Sequence, residues 1–162
     1  MVLRKDLHLE QSHAVFITTT ILRHFPIFNH KNIAEAFLYQ FRETLQFFNV
    51  EAIGYVLMPS HLHAILHFPK VIQMPKFMQS LKSLSSRKIY RMLNREMIEK
   101  FTVNGRFRLW NPRYDDVYIY STLQFRIKLE YIHNNPVKKD WSHLPVSGPT
   151  QVLQIGFLVK GG

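Results

Sequence analysis

Two apolar runs separated by a Pro-Ser dipeptide constrain the fold more strongly than any other feature of this sequence. The runs cover residues 52–58 and 61–68, with Pro59 and Ser60 between them. Pro and Ser favour turns, and a connection of two residues is typical of antiparallel strands. The sequence therefore predicts a β-hairpin whose two strands lie side by side in one sheet.

Further strands and helices are predicted on both sides of this hairpin. Residues 14–22 are β-branched and aromatic, which is typical of a strand. A helix start signal at Asn32 and Glu35 precedes apolar side chains at helical spacing. The predicted elements that follow are this helix up to about residue 49, a helical stretch at 75–100, an edge strand at 117–120 and a third helix at 121–135, before Pro136. Their order favours an α+β sandwich with one antiparallel sheet and its helices packed on one face.

One face of the second predicted helix changes from apolar to basic along its length. An apolar stripe runs from Phe77 to Leu84, and the same helical face then carries Lys88, Arg91 and Arg95. Charged side chains do not pack into a core without partners. We therefore expect this helix to bend or to project from the core and to present its basic end to a partner.

The composition indicates a single basic, globular domain. The chain has 162 residues and a formal net charge of +10, and 46% of its residues are hydrophobic. With 14% aromatic residues it is not a disordered polycation. It contains no cysteine, which excludes disulfides, thiolate metal ligands and cysteine nucleophiles and fits a reducing compartment. No apolar run approaches the roughly 18 residues of a membrane span, so we expect a cytoplasmic protein without a membrane partner.

The positive charge is concentrated in residues 70–113. This segment holds eleven basic and two acidic side chains, whereas residues 1–69 are neutral overall. A one-signed field attracts polyanions, and aromatic residues interleaved with the charges could stack bases. We therefore expect nucleic acid as the partner, although a charge run can also be a solvated face. The basic residues predicted to contact nucleic acid are Lys82, Arg87, Lys88, Arg91, Arg95, Arg106, Arg108 and Arg113.

Two histidines stand at the start of the second hairpin strand. Side chains alternate between faces along a strand, so His61 and His63 point the same way, about 6.7 Å apart along the chain. The opposite face is apolar, and we expect the histidines on the face that the helices leave uncovered. Neutral imidazoles at this spacing can share one divalent ion. The alternative is a pair of partly exposed sheet histidines without a ligand.

A third ligand and a nucleophile have to come from another element, and the third helix offers both. Tyr131 and Asn135 are four residues apart, so a phenol and a side-chain amide project from one helix face. Tyr131 also follows Leu123 and Ile127 at the same spacing, so it could equally be a core aromatic. Asn135 could equally be the C-cap of the helix.

Three segments, in this order, resemble the single-tyrosine His-hydrophobic-His transposases of the IS200-like superfamily, and in particular the REP-associated tyrosine transposases. They are Tyr55-Val-Leu-Met-Pro-Ser-His-Leu-His63, Trp110-Asn-Pro-Arg-Tyr-Asp-Asp116 and Tyr131-Ile-His-Asn-Asn-Pro-Val137. The resemblance implies a ferredoxin-like sheet that carries the histidine pair. By the same match, His61, His63 and Asn135 would be the ligands of a Mg²⁺ or Mn²⁺ ion, and Tyr131 would be the nucleophile.

The resemblance also implies the reaction. Members of this family cleave and rejoin single-stranded DNA beside imperfect hairpins, through a 5′-phosphotyrosine intermediate with a free 3′-hydroxyl. The resulting prediction is a DNA transposase that acts on single-stranded or hairpin DNA as a monomer or homodimer. Residues 1–140 would form the catalytic domain. The segment 141–162 does not resemble the tail of the family, and its role is open.

Two other functions would use the same residues differently. A metal-dependent nuclease would activate a water molecule with a general base, for which Asp115 and Asp116 are the candidate carboxylates. A domesticated nucleic-acid-binding protein would keep the fold and the basic helix but would not cut. A covalent protein-DNA adduct, a released product or binding alone distinguishes the three functions.

Overall fold

The computed structural model describes residues 11–138. Its strands are β1 (His13–Thr20), β2 (Glu51–Met58), β3 (His61–Phe68), β4 (Thr102–Val103), β5 (Arg106–Phe107) and β6 (Asp115–Tyr118). Its α-helices are α1 (Lys31–Phe48), α2 (Met74–Tyr90), α3 (Arg95–Lys100) and α4 (Thr122–Lys138), with short 3-10 turns at Leu22–His24, Ile27–Asn29 and Val71–Gln73. The predicted tail at 141–162 lies outside the described residues, as do both ends of the predicted domain. No helix within residues 11–138 is both long enough and apolar enough to cross a membrane.

The main sheet has four strands in the order β2-β3-β1-β6, and all neighbouring strands are antiparallel. The predicted hairpin is confirmed by β2 and β3, which flank Pro59 and Ser60. The predicted edge strand is confirmed as β6, which begins two residues earlier than expected, at Asp115. Because α1 connects β1 to β2 and α2 follows β3, the chain order βαββαβ and this strand order form the expected ferredoxin-like sandwich.

Helices α1 and α2 cover one face of the sheet and enclose the main core. Buried aromatic residues of this core come from both helices and from the sheet, among them Phe37, Phe41, Phe68 and Phe77. The apolar face of α1 runs to its end at Asn49, which adopts a left-handed conformation with φ of 52° and stops the helix. Burial of these large side chains is the main stabilising contribution to the fold.

We expected all helices on one face of the sheet. This is correct for α1 and α2, whereas α4 packs on the opposite face. A second, smaller cluster there includes Phe16, Val56, Ile65 and Ile132. The central strands are apolar on both faces in this region, and an apolar face left open to water would cost free energy. Helix α4 therefore covers the face that also carries the histidine pair.

The predicted helix at 75–100 is divided into α2 and α3. The break lies in the part of the stretch where basic residues replace the apolar stripe. Asn94 begins α3, since its side chain accepts a hydrogen bond from the Met97 amide at 2.9 Å. The distal half of α2 nevertheless packs against the core through Ser85 and Ile89, both fully buried, whereas Leu84 is exposed. The expectation that the helix projects from the core beyond Leu84 is therefore wrong for α2.

A buried serine explains this difference. The Trp110 indole Nε1 donates a hydrogen bond to the Ser85 hydroxyl at 3.0 Å, so a small polar side chain continues the buried stripe of α2 towards Ile89. A paired buried hydroxyl carries little penalty. An apolar stripe that is interrupted by serine looks in the sequence like a stripe that has ended.

Candidate active site

The histidine pair lies at the beginning of β3, on the face that α4 covers. In the antiparallel register of β1 and β3, His61 lies opposite Thr20 and His63 lies opposite Thr18. The two imidazole ring centres are 4.7 Å apart, with the rings nearly perpendicular. The predicted alternation of β3 is therefore confirmed, and it places the two imidazole rings in direct contact.

Each histidine has a hydroxyl beside its Nδ1 atom. The Thr18 Oγ1 atom lies 2.7 Å from Nδ1 of His63, and the Ser60 Oγ atom lies 3.1 Å from Nδ1 of His61. A hydrogen-bond partner at one ring nitrogen fixes the ring orientation and favours ligand binding through the other nitrogen. The Thr18 and Ser60 hydroxyls thus restrain the orientation of both rings. The threonine was not identified from the sequence, because its position depends on the register between β1 and β3.

His63 is buried rather than exposed, which corrects the expectation of an uncovered sheet face. Only 5% of its surface is accessible. The Phe16 ring stacks on it at 5.6 Å between centres, and the Tyr131 ring of α4 meets it edge to face at 5.1 Å. The cause is the docking of α4 on this face. A charge or an ion bound here is partly shielded from water, which strengthens its electrostatic interactions.

Tyr131 is placed beside the histidines with its ring partly in solvent. The residue is 41% exposed, and Leu123 and Ile127 are exposed as well. The interpretation of Tyr131 as a core aromatic on that stripe is therefore wrong, because the buried side of α4 carries Ile132 with Phe125 and Leu129 packed nearby. A phenol in this position can be reached by a ligand that also reaches the imidazoles.

Asn135 follows Tyr131 by one turn of α4 and is only 6% exposed. Its side-chain Nδ2 has no hydrogen-bond partner within the described part of the chain. A buried amide with an unmade hydrogen bond costs about 1–3 kcal/mol. Because α4 continues to Lys138, Asn135 is not its C-cap, and the predicted helix end before Pro136 is wrong.

The two imidazoles of His61 and His63 are in contact, and the Asn135 amide lies on α4 one turn after Tyr131. No group of three or more His, Asp or Glu side chains that could hold a metal ion occurs among residues 11–138. The sequence resemblance gives Asn135 as the expected third ligand. Imidazole nitrogens and an amide oxygen are acceptable ligands for Mn²⁺, and they leave the positive charge of the ion uncompensated.

The two candidate carboxylates lie on opposite faces of β6. Asp115 is paired with Thr18 and shares the face of the histidines, whereas Asp116 is paired with Ile17 on the other face. Thr18 lies between Asp115 and His63, so the two residues are two strand spacings apart, about 9.5 Å between backbones. Asp115 is therefore not a direct strand neighbour of His63.

A lysine adds positive charge near Tyr131. The Lys128 ammonium lies over the Phe16 ring, 4.7 Å from its centre, and Phe16 contacts Tyr131 edge to face at 5.8 Å between ring centres. Lys128 precedes Tyr131 by three residues, so both side chains leave neighbouring positions of one helix surface. Lys128 therefore adds a positive charge to the surface of α4 that carries Tyr131.

The predicted nucleic-acid contacts lie mainly on α2 and on the segment after α3, on the side of the sheet opposite to the histidines. Arg87, Arg91, Arg106, Arg108 and Arg113 are exposed. Lys88 is partly buried, with its ammonium 4.0 Å from the centre of the Tyr39 ring, and Arg95 pairs with Glu99 at 3.0 Å. Of the interleaved aromatic residues, Phe77, Phe101 and Trp110 belong to the core, whereas Tyr90 and Phe107 reach the surface.

Lys82 holds a loop in place. Its ammonium donates to the carbonyl oxygens of Asn111 at 2.9 Å and of Arg113 at 2.8 Å. Burial lowers the pKa of Lys82 from 10.5 to about 8. Between these values the unfolded chain binds more protons than the folded chain, so this residue makes the folded state more stable as the pH rises.

We expect this effect to disappear in Lys82→Met. The free energy of unfolding of the wild type should increase relative to that of the variant as the pH rises from about 8 to about 10.5, because in this range only the wild type has an unfolded state that binds one proton more than its folded state. Urea unfolding of both proteins at pH about 7.5 and about 10 measures the difference. An identical pH dependence in the two proteins would contradict the buried position of the ammonium.

Comparison with known proteins points to one family. The family model described as "Transposase IS200 like" matches residues 8–135. The structure of a REP-associated tyrosine transposase bound to a REP hairpin is similar with a TM-score of 0.65 and 18% identity, over 87% of this chain and 76% of that chain. A predicted transposase from Deinococcus radiodurans R1 is similar with a TM-score of 0.56 and 18% identity, over 82% of this chain and 97% of that chain. A search of curated proteins finds no match.

The two structural similarities support the fold, and the family model supports the family. The match spans most of the chain and includes both histidines, Tyr131 and Asn135. It begins before β1 and ends within α4, so it covers the whole ferredoxin-like sandwich. The chain therefore belongs to the IS200-like transposase family.

Proposed function

We propose that this protein is a metal-dependent tyrosine transposase that cleaves and rejoins single-stranded DNA beside hairpins. The observation that carries the proposal is the edge-to-face contact of the Tyr131 ring with His63, at 5.1 Å between ring centres, in a protein of a transposase family. A nucleophilic side chain and an oriented pair of metal-ligating imidazoles therefore border the same space. The bound hairpin in the similar REP-associated transposase supports a hairpin DNA as partner.

Tyr131 is the proposed nucleophile. Its phenolic oxygen attacks the scissile phosphorus, the Tyr131 O–P bond forms, and the bond from phosphorus to the 3′ oxygen breaks. The phenolic proton is lost, and the departing 3′ oxygen gains a proton to become a hydroxyl. The products are a 5′-phosphotyrosine and a free 3′-hydroxyl. Since one phosphodiester replaces another, a 3′-hydroxyl can reverse the attack and join strands without an energy source.

The proposed ligands of a divalent ion are His61, His63 and Asn135. When bound, Mg²⁺ or Mn²⁺ supplies Lewis-acid stabilisation of the charge on a non-bridging phosphate oxygen. Thr18 and Ser60 keep the two imidazoles oriented. The position of Asn135 on α4, one turn after Tyr131, supports this assignment, and its side-chain oxygen would be the ligand atom.

Electrostatics would offset the cost of using a phenol. Deprotonating an ordinary phenol at pH 7 costs about 4 kcal/mol. The Lys128 ammonium, close to Phe16 and Tyr131, is a fixed positive charge that favours both a phosphate and a developing phenolate in this site. The site is therefore suited to phosphoryl transfer to tyrosine rather than to activation of water.

Incubation with a labelled hairpin oligonucleotide that carries single-stranded flanks tests the function. We expect a covalent protein-DNA adduct that survives denaturation and that requires Mg²⁺ or Mn²⁺. A released product without an adduct would indicate a water-activating nuclease. Binding without any cleavage would indicate a nucleic-acid-binding protein that does not carry out the reaction.

The exposed Arg87, in the last turn of α2, and Arg91, directly after the helix, are proposed to contact DNA phosphates. Changing Arg87 and Arg91 together to Gln should weaken binding to unrelated DNA sequences to a similar extent, because phosphate contacts carry no sequence information. The slope of log K against log salt should fall by about 0.7–0.9 for each phosphate that the variant no longer neutralises. Fluorescence anisotropy at several salt concentrations measures this slope.

Changing Lys31 and Arg42 of α1 to Gln provides the control. This variant removes the same charge from a helix outside the basic segment, so its salt slope should stay close to that of the wild type. If the slope is unchanged in the Arg87 and Arg91 variant, the basic side chains of α2 form only a solvated face.

A further inference from the structure

A groove runs between the outer surface of α2 and residues 107–114. It consists of two adjoining hollows of about 400 and about 470 Å³ that share Ser83, Ser86 and Phe107 in their walls. Small serine side chains on α2 keep the floor of the groove open where the two hollows meet. The groove lies on the opposite side of the sheet from Tyr131 and plays no part in the proposed chemistry.

Cationic and aromatic side chains line this groove. Arg87 and Arg91 lie along one hollow, and Arg108 lies in the wall of the other. Tyr90 is 44% exposed, and its ring meets the Phe107 ring edge to face at 5.0 Å. None of the described residues in the two walls is acidic. Exposed rings beside arginines are the combination that binds single-stranded nucleic acid, with bases on the rings and phosphates on the cations.

One wall of the groove is anchored at the end of β1. Asn111 belongs to this wall, and its amide donates to the Thr20 carbonyl at 2.9 Å. Thr20 is the strand partner of His61. The Lys82 ammonium holds this wall against α2 through its bonds to the carbonyls of Asn111 and Arg113. The groove is therefore fixed to the end of the sheet at which the histidine strand begins.

We propose that this groove binds the unpaired nucleotides that flank the DNA hairpin, with a base against the Tyr90 and Phe107 rings and phosphates on Arg87, Arg91 and Arg108. The proposal rests on the proposed function for the identity of the DNA. An unpaired segment is favoured over a duplex because a ring can stack only on a base whose face is not covered by its neighbours. The groove would thus hold the single strand on its way to the catalytic site.

Binding of two DNA molecules by the Tyr90→Ser variant tests the proposal. One is a hairpin with unpaired nucleotides on both sides, and the other is the same hairpin without them. The variant should bind the flanked hairpin about 5- to 150-fold more weakly than the wild type, the effect of removing the stacking partner of one base. It should bind the hairpin without flanks as the wild type does. Equal weakening with both molecules, or unchanged binding of both, would overturn the proposal.

Two further variants keep the result interpretable. Phe47→Ser removes an exposed aromatic side chain from α1 and should leave both affinities unchanged. Ser86→Phe fills the groove without removing any charge or ring, and it should weaken binding of the flanked hairpin alone. Thermal melting of each variant verifies that it is folded. All affinities are measured without divalent metal, so the outcome does not depend on cleavage, and failure of the adduct assay would leave this test valid.

Discussion

Replacing Tyr131 with Phe is expected to abolish the covalent protein-DNA adduct and to leave DNA binding intact. Phenylalanine keeps the ring and therefore its edge contacts with His63 and Phe16, at 5.1 and 5.8 Å between ring centres. The substitution removes only a hydroxyl, and removal of a nucleophile lowers the rate by a factor of about 1,000 or more. Denaturing gel electrophoresis of the protein with labelled DNA measures the adduct.

Tyr120→Phe is the matched control, since Tyr120 is an exposed tyrosine just before α4. It should form the adduct at the rate of the wild type. If the adduct persists in Tyr131→Phe, the nucleophile is another residue, and Tyr114 would be the next to test. If Tyr131→Phe unfolds, the hydroxyl has a structural role that its partly exposed ring does not suggest.

The second large effect is expected from His61→Ala, which should remove both Mn²⁺ binding and cleavage. His61 is partly exposed, so its truncation leaves no large cavity. Removal of a residue that merely supports a ligand costs about 10- to 100-fold in metal affinity, and removal of a ligand should cost at least as much. Hairpin affinity should remain, because the basic side chains of α2 lie on the other side of the sheet. Calorimetric titration with Mn²⁺ and the adduct assay test these expectations.

His67→Ala is the control for this experiment. His67 belongs to the same strand and the same face, but it lies four residues beyond His63, or about 13 Å along the strand. Its variant should bind Mn²⁺ and form the adduct normally. Unchanged Mn²⁺ binding in His61→Ala would exclude the histidine pair as the metal site. His63→Ala is less informative, because His63 is buried against Phe16 and its truncation should also destabilise the fold.

Much of the site could be predicted because its components follow local rules. Strand alternation puts His61 and His63 on one face whatever the strand packs against, and helical spacing puts Tyr131 and Asn135 one turn apart in any helix. The hairpin around Pro59 and Ser60 is equally local, because turn chemistry and apolar runs are read within about ten residues. These elements are present in the structure with nearly the predicted bounds.

Other features depend on contacts between distant segments. The sequence does not reveal that Thr18 lies beside His63, since 45 residues separate them and only the β1 to β3 register brings them together. Ser85 similarly looks like a break in the apolar stripe of α2 until Trp110 donates a hydrogen bond to it. Contacts between such distant residues leave no periodic pattern in the sequence, because each residue could stand at its position with a different partner in space.

Local sequence is sufficient for the α+β class, the paired histidines, the tyrosine with its asparagine and the basic segment, since each is a property of one strand, one helix or one stretch of chain. The face that α4 covers follows instead from the packing of the whole fold. Both faces of the central strands are apolar, so burial favours a helix on each, and the position of the last helix is set by the second cluster around Phe16 and Ile65. That packing buries His63 and brings the Tyr131 ring to within 5.1 Å of it, centre to centre. The residues of the site are thus encoded locally, whereas their meeting depends on the burial of apolar surface elsewhere in the fold.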